Sequence, residues 1–421
     1  MGKMNSATLR LVLLISCGHA LVHIYETSFG SVEQLASADS RFGVASADRK
    51  EVSGQLGNAM RLPFGLFALA AGWLADRYGA RRLLLVYLFG CSGAAVLIWF
   101  SPNLLMLYVA MFALGTFASI YHPSGVGLIS YHTTPENRTM ALGYHGIFGS
   151  AGIAAGPILA GLVLNTGAGW GQYYLVLSVP GVLLALLLMW RLTHGLPRAA
   201  DVAAVDPAPS DDDDDVSWRS YYTLIALASL GGFVYAAILN FMPRYLDGAG
   251  LSMAAIPKES VRNYLTGGVL LLGIIGQYSA GRLARPTTLE PLLALAFFSA
   301  APFVFWMAFA QGTSRLWAAG LFAPLFFMHQ PLYNTLVAKY VPRRRRGLCY
   351  GLSFSLSFGL GSFGPTFAGY AKSDLVNFGT LSALLVLAGA MSLLLWAWHG
   401  PNGESGGAAG GVRTTVPASG R

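Results

Sequence analysis

His19, His23 and Glu26 stand at i, i+4 and i+7 of one apolar stretch. At about 100° per residue an α-helix brings all three within about 60° of one another, so one stripe carries two imidazoles and a carboxylate. Ionisable groups in such surroundings are costly unless they face water, each other or a ligand. Imidazole is the side chain whose ordinary pKa lies nearest neutrality, so Glu26, His19 and His23 have the parts to take up and hand on protons. They are the proton-coupling candidates. Arg61 sits alone in the middle of a second apolar stretch, cannot shed its charge and needs a carboxylate or phosphate beside it. Glu26 is the best partner the chain offers. Two readings stay open: Arg61 anchors an anionic ligand, or it forms a permanent structural pair.

His122 follows Tyr121 and precedes Pro123, and His329 precedes Gln330-Pro331. A histidine beside a helix-breaking proline, twice, points to paired polar sites where freed carbonyls bind a ligand or water. His145 (with Tyr144), Asn240 (with Tyr235), Gln277, Tyr333 and Asn334 complete the substrate-binding candidates; each could equally hold helices together. The spacing contains no nucleotide loop, no metal-ligand cluster and no Ser or Cys nucleophile with an evident base. A non-enzyme without cofactor or metal is therefore expected. Cys17, Cys91 and Cys349 lack CxxC spacing and predict no disulfide. Met1-Gly2-x3-Ser6 and Leu14-Ile15-Ser16-Cys17 match lipidation patterns, but the helical pattern runs through the second without a break, and both are read as accidental.

The elements that must position these groups are membrane spans. The chain is 54% hydrophobic and 11% charged, with mean hydropathy +0.54, too apolar for a soluble multidomain protein of 421 residues. Runs long enough to cross a hydrocarbon core predict twelve helices, at 8–34, 52–76, 80–100, 103–131, 138–164, 170–191, 219–245, 259–284, 289–311, 314–340, 347–372 and 376–398. Arg138, Gly143, Gly156, Pro157, Ala160 and Gly161 recur at a constant offset as Arg346, Gly351, Gly364, Pro365, Ala368 and Gly369; Pro123 and Pro331 share that offset. One helical unit is thus written twice, as secondary transporters are built. The expected fold is an all-α membrane protein with twelve transmembrane helices in two pseudo-symmetric six-helix bundles. Residues 1–195 form the N-terminal bundle, 196–218 an acidic cytoplasmic linker, 219–399 the C-terminal bundle and 400–421 a disordered cytoplasmic tail.

Lys and Arg cluster in the loops on the side of the N-terminus, which by the positive-inside rule places both termini and the linker in the cytoplasm. The net charge of +8 follows from this bias and is not read as nucleic-acid binding. The run Arg343 to Arg346 is read as a contact with anionic lipid. Expected partners are a small-molecule substrate, protons and the bilayer, with the chain acting as a monomer.

Gly72-Trp73-Leu74-Ala75-Asp76-Arg77-Tyr78-Gly79-Ala80-Arg81-Arg82 resembles the loop between helices 2 and 3 of the major facilitator superfamily. The resemblance implies that Gly72, Asp76 and Arg77 act as a conformational latch on the cytoplasmic side. The weaker copy, Gly281-Arg282-Leu283-Ala284-Arg285, has Arg285 where an acid is expected, which puts a symmetric latch in doubt. His19, His122-Pro123, the Gly156-Pro157 break and Pro342-x-Arg-x-Arg-Gly347 resemble the fosmidomycin-resistance-type branch, whose members are proton-driven exporters of the bacterial cytoplasmic membrane. Gly152, Gly156 and Pro157 also resemble a helix-5 signature of drug/proton antiporters. Gly364 and Pro365 repeat it in helix 11, so helix packing and kinking explain it as well as export does. The drug/proton pattern also calls for a basic residue in mid helix 4, where this chain has only His122.

The resemblance implies a secondary active transporter exporting a small anionic or amphipathic compound in exchange for protons, multi-pass in the bacterial inner membrane. An importer of an organic anion or metabolite would use the same Arg61 and histidines. A receptor or scaffold that kept the fold would tolerate loss of Glu26 and Arg61.

Overall fold

The computed structural model describes residues 4–194, 217–342 and 345–399. The expected linker up to residue 216, the expected tail and part of the Arg343 to Arg346 run lie outside the described residues; Ser217 and Trp218, expected in the linker, instead cap and open the helix Trp218–Asp247. The first half holds α1 (Ser6–Ser37), α2 (Arg49–Tyr78), α3 (Ala80–Phe100), α4 (Leu104–Ala118), α5 (Tyr121–Tyr131), α6 (Pro135–Asn165) and α7 (Trp170–His194). The second holds α8 (Trp218–Asp247), α9 (Lys258–Leu283), α10 (Leu289–Met307), α11 (Ser314–Phe327), α12 (His329–Tyr340), α13 (Arg346–Gly361), α14 (Phe363–Tyr370) and α15 (Asp374–His399). No strand occurs among the described residues.

Three of the spans are each written as two helices, and prolines mark the joints. A proline has no N–H to donate and its ring crowds the carbonyl four residues back. Four residues before Pro123 is Ser119, the cap that ends α4; before Pro331 is Phe327, the last residue of α11; before Pro365 is Gly361, the last of α13. With each broken pair counted once, the helices form twelve spans in two sets of six. Pro157 behaves differently from the expected break: α6 runs through it as one helix. Gly152 and Gly156 let α6 lie directly on α1, where added Cβ atoms would strike Ala20 and Thr27; beyond the proline, Gly161 lies against Tyr264 of α9. Gly364 repeats the role in the second half, against Phe233 and Ala237 of α8. These glycines therefore pack helices within a half, whereas Pro365 lies against Gly54 and Gly57 of the other half.

Each half has its own apolar core, one built from α1 to α7 and one from α8 to α15, the latter joined by Ile153 and Ala154 of α6. Among the described residues, eight stretches are long and apolar enough to cross a membrane by themselves. Of the remaining spans, α2 and α13–α14 pack against one another between the halves.

Most of the polar bonds across the halves lie at the end away from the N-terminus, here the far end; Leu69 N–H to Ser355 Oγ at 3.1 Å and Ser150 to Gln277 join the halves nearer the N-terminal side. Arg244 of α8 grips Glu33 of α1 with Nε and Nη2 at 2.8 and 2.6 Å. Asn263 Nδ2 donates to the Ser31 carbonyl at 2.9 Å, Lys50 Nζ to the Ala371 carbonyl at 3.0 Å, and Gln55 Nε2 to Tyr370 Oη at 2.6 Å. A Cβ on Gly54 would come within 3.2 Å of the Gly369 Cα, so the backbones themselves are in contact there.

The far-end turn after α1 is held by Asp39, which accepts from Arg41 Nε and from Trp170 Nε1 at 2.9 Å. The Arg41 hydrogen bonds pull its carboxyl down from the usual 3.8 to about 2. A depressed acid stabilises the fold above its ordinary pKa, and that contribution is lost as pH falls through the folded value. The Trp170 environment, read as the emission difference between the parent and Trp170→Phe, is therefore expected to hold down to about pH 4 and to change as pH falls toward 2. A change centred near pH 4 would show that Asp39 is not held by Arg41.

Candidate functional site

α1 presents the stripe as its period requires. Glu26 is buried at 3% exposure, His23 at 4% and Arg61 of α2 at 4%. Both carboxylate oxygens of Glu26 are engaged: Arg61 Nη1 donates to Oε1 at 2.6 Å, and His23 Nδ1 lies 2.6 Å from Oε2. From the other half, Tyr235 of α8 donates its hydroxyl to Oε2 at 3.4 Å, and the Arg61 guanidinium stands 5.6 Å from the Tyr235 ring centroid. The expected Glu26–Arg61 pair is thus present, with a tyrosine of the opposite half as its third member.

One turn nearer the N-terminus the histidines converge. His19 Nδ1 donates to the His145 carbonyl at 2.6 Å, which leaves Nε2 as the acceptor of a neutral ring; that Nε2 is 3.2 Å from His23 Nε2. The His19 ring stacks on His145 at 3.8 Å and meets His122 edge-on at 5.2 Å. Tyr121 Oη donates to the Ile15 carbonyl at 2.7 Å and so accepts from His145 Nε2 at 3.1 Å. His122 packs on Phe354 of the second half at 4.6 Å, and its Nε2 is buried without a hydrogen-bond partner among the described residues. One ring nitrogen from each of His19, His23 and His122 lies within 4.8 Å of the other two. Spacing alone predicts no such cluster, because α1 supplies only two of the rings and the fold brings the third from α5.

The second half does not mirror this. His329 Nδ1 donates to the Phe326 carbonyl at 2.6 Å and its ring sits among Phe297 and Phe326, so the symmetric pair of polar sites expected at His122 and His329 does not form. Gln277 instead joins Ser150 Oγ of the first half at 2.5 Å to Gln330 Oε1 at 2.9 Å. Asn240 lies against Gly57 of α2, and its Nδ2 is buried without a hydrogen-bond partner among the described residues; the Tyr333 hydroxyl faces Ser353 and Ser357. The Asn334 side chain is exposed, and its carbonyl accepts from Tyr350.

The latch residues stand apart. Asp76 is exposed and makes no ion pair among the described residues, and Arg77 lies beside the rings of Trp73 and Tyr78. A Cβ on Gly72 would rest 3.6 Å from Pro123 Cβ, an ordinary contact, so close helix approach does not require glycine there. Sequence reasoning missed Glu33 and Arg244; an acid and a base late in two apolar helices was the available signal.

Two helical bundles meeting at a buried charge pair define a multi-pass membrane transporter. The chain belongs to the Major Facilitator Superfamily, which residues 42–365 match. Its fold resembles the inward-open xylose transporter XylE from E. coli, with TM-score 0.72 and 14% identity over 92% of this chain and 96% of that one. It also resembles a bacterial homologue of the lysosomal transporter Spinster in an inward-facing, occupied conformation, with TM-score 0.67 and 15% identity over 94% and 97% of the two chains. In sequence it is 31% identical over 188 residues to the MFS-type transporter YwoD of Bacillus subtilis, covering 45% of this chain and 35% of that protein. It is 26% identical over 269 residues to the probable sulfoacetate transporter SauU of Cupriavidus necator, covering 59% and 62%. It is 35% identical over 144 residues to the multidrug efflux pump LfrA of Mycolicibacterium smegmatis, covering 34% and 27%. The matched regions thus span less than two thirds of each of these relatives.

Removing one partner of a buried ion pair strands the other. Arg61→Ala is expected to destabilise the purified protein by about 3–5 kcal/mol, whereas Glu26→Leu/Arg61→Met, which removes both charges, recovers most of that loss. Thermal unfolding of the three proteins in one detergent checks this. A double variant as unstable as Arg61→Ala would mean that the two charges do not depend on each other.

Proposed function

We propose that the chain is a proton-coupled exporter of a small anionic or amphipathic compound. It works by alternating access in the bacterial cytoplasmic membrane, with both termini in the cytoplasm. The observation that carries this reading is the Glu26–Arg61 pair, buried where α1 and α2 of one half meet Tyr235 of the other. Ionised Glu26 holds Arg61. A proton on Glu26 releases the guanidinium, either to an anionic substrate or to let the halves rock. His23 and His19 lie on the N-terminal side of Glu26 and pass the proton toward the cytoplasm.

The positive-inside rule makes the far end periplasmic. The Glu33–Arg244, Lys50–Ala371 and Asn263–Ser31 bonds then form a closed outer gate, and the arrangement suits uptake of solute from the cytoplasm. Asp76, exposed and without an ion pair among the described residues, is the latch of the opposite state. Likeness to the efflux pump LfrA favours export. A second reading is import of an organic anion; the longer match to the probable sulfoacetate transporter SauU and Arg61 favour an anion as its cargo.

In proteoliposomes, Glu26→Gln is expected to lose at least tenfold in transport driven by a proton gradient while retaining substrate counterflow, because glutamine stands in for the protonated acid. Arg61→Ala is expected to lose both. Glu26→Gln transporting normally under a proton gradient would move the coupling site elsewhere, and transport indifferent to the gradient would remove proton coupling altogether.

A further inference from the structure

We propose that His19, His23 and His122 form a binding site for a divalent transition-metal cation of the zinc type. Two of the three rings are already oriented as metal-bound imidazoles are. In such sites the nitrogen that does not bind the metal donates to a carbonyl or carboxylate, which fixes the tautomer and raises the basicity of the other nitrogen. Here His19 Nδ1 donates to the His145 carbonyl at 2.6 Å, and His23 Nδ1 faces Glu26 Oε2 at 2.6 Å. Those partners leave the two Nε2 atoms aimed at one another, 3.2 Å apart. Metal–imidazole bonds of about 2.0–2.1 Å meeting at a tetrahedral angle place two ligand nitrogens ~3.3 Å apart. Two Nδ1–H tautomers at this separation turn lone pair toward lone pair, and a cation between them converts that repulsion into two bonds.

His122 is the third ligand. Its ring centroid lies 5.2 Å from that of His19 and 5.5 Å from that of His23, and a ring nitrogen of each of the three lies within 4.8 Å of the others. The His122 Nε2 is buried without a hydrogen-bond partner, so a side-chain rotation toward the ion breaks no bond at that atom. Neutral imidazoles select Zn²⁺, Co²⁺, Ni²⁺ or Cu²⁺; Mg²⁺ and Ca²⁺ take oxygen ligands, and the cluster offers none within the trio. Three protein ligands leave a fourth coordination position for water.

An ion held there fastens α1 to α5. Through His23 Nδ1 it also keeps the Glu26 carboxylate engaged, so bound metal arrests the exchange of partners at Arg61. That consequence for transport rests on the reading given under Proposed function; binding of the ion does not.

Purified, tag-free full-length protein is titrated with Co²⁺ and followed by visible absorption, and with Zn²⁺ by calorimetry. One ion per chain is expected, with the d–d bands of a four-coordinate cobalt site. His19→Ala and His122→Ala are each expected to weaken binding at least tenfold, and Glu26→Gln, which removes a hydrogen-bonding partner of a ligand, about 10–100-fold. His329→Ala binds as the parent does. X-ray absorption on the zinc-loaded parent decides the same point without any substitution, and three imidazole nitrogens at about 2.0 Å are expected. Absence of saturable binding, fewer than two imidazoles on the zinc, or affinity undiminished in both His19→Ala and His122→Ala overturns the site. Metal binding that fails beside intact proton-driven transport sinks the metal site alone. Binding that holds while Glu26→Gln transports normally sinks the coupling reading alone.

Discussion

A carboxylate and a guanidinium surrounded by helices inside a membrane must stay satisfied in every state the protein visits, because a stranded buried charge costs several kcal/mol. Glu26 and Arg61 impose that condition on everything around them. The carboxylate uses one oxygen for Arg61 and the other for His23, and Tyr235 reaches the second oxygen from the opposite half. Any movement of α8 relative to α1 is therefore registered at Glu26. Any change in the charge of Glu26 is felt by α2, which carries Arg61. α2 is also the helix whose Gly54, Gly57 and Gly65 lie against Pro365 and Gly359 of the other half. Backbone lies on backbone at that contact, with one buried charge pair beside it.

The halves share a backbone plan and divide the chemistry. The prolines that end α4 and α11 act alike in the two halves, and the glycines at 156 and 364 seat equivalent helices. The buried ion pair and the histidine cluster at the centre belong to the first half. The second contributes amides and hydroxyls such as Asn240, Gln277, Gln330 and Tyr333. Duplicated folding instructions constrain only what both copies need, which is helix packing.

This division explains what could be read from sequence. Helix period placed His19, His23 and Glu26 on one face, and the need of Arg61 for an anion named Glu26, because both inferences are local or rest on a strong energetic demand. Reading symmetry into chemistry failed at His329, which settles among phenylalanines, and proline alone did not predict that α6 stays whole while its counterpart breaks. The ties of Glu33 to Arg244, of Tyr235 to Glu26 and of His122 to the α1 histidines join residues on different helices, and no spacing rule within one helix can supply them.

The central claim is that the charge state of Glu26 sets the position of the halves. Double electron–electron resonance between spin labels at Ser46 and Ser373, exposed on opposite halves near the far end, measures that position without a known substrate. The account predicts a short distance when Glu26 is ionised. A second, longer population should grow as the pH is lowered, and should be present in Glu26→Gln at every pH. One unchanged distance distribution in the parent across pH and in Glu26→Gln would contradict it.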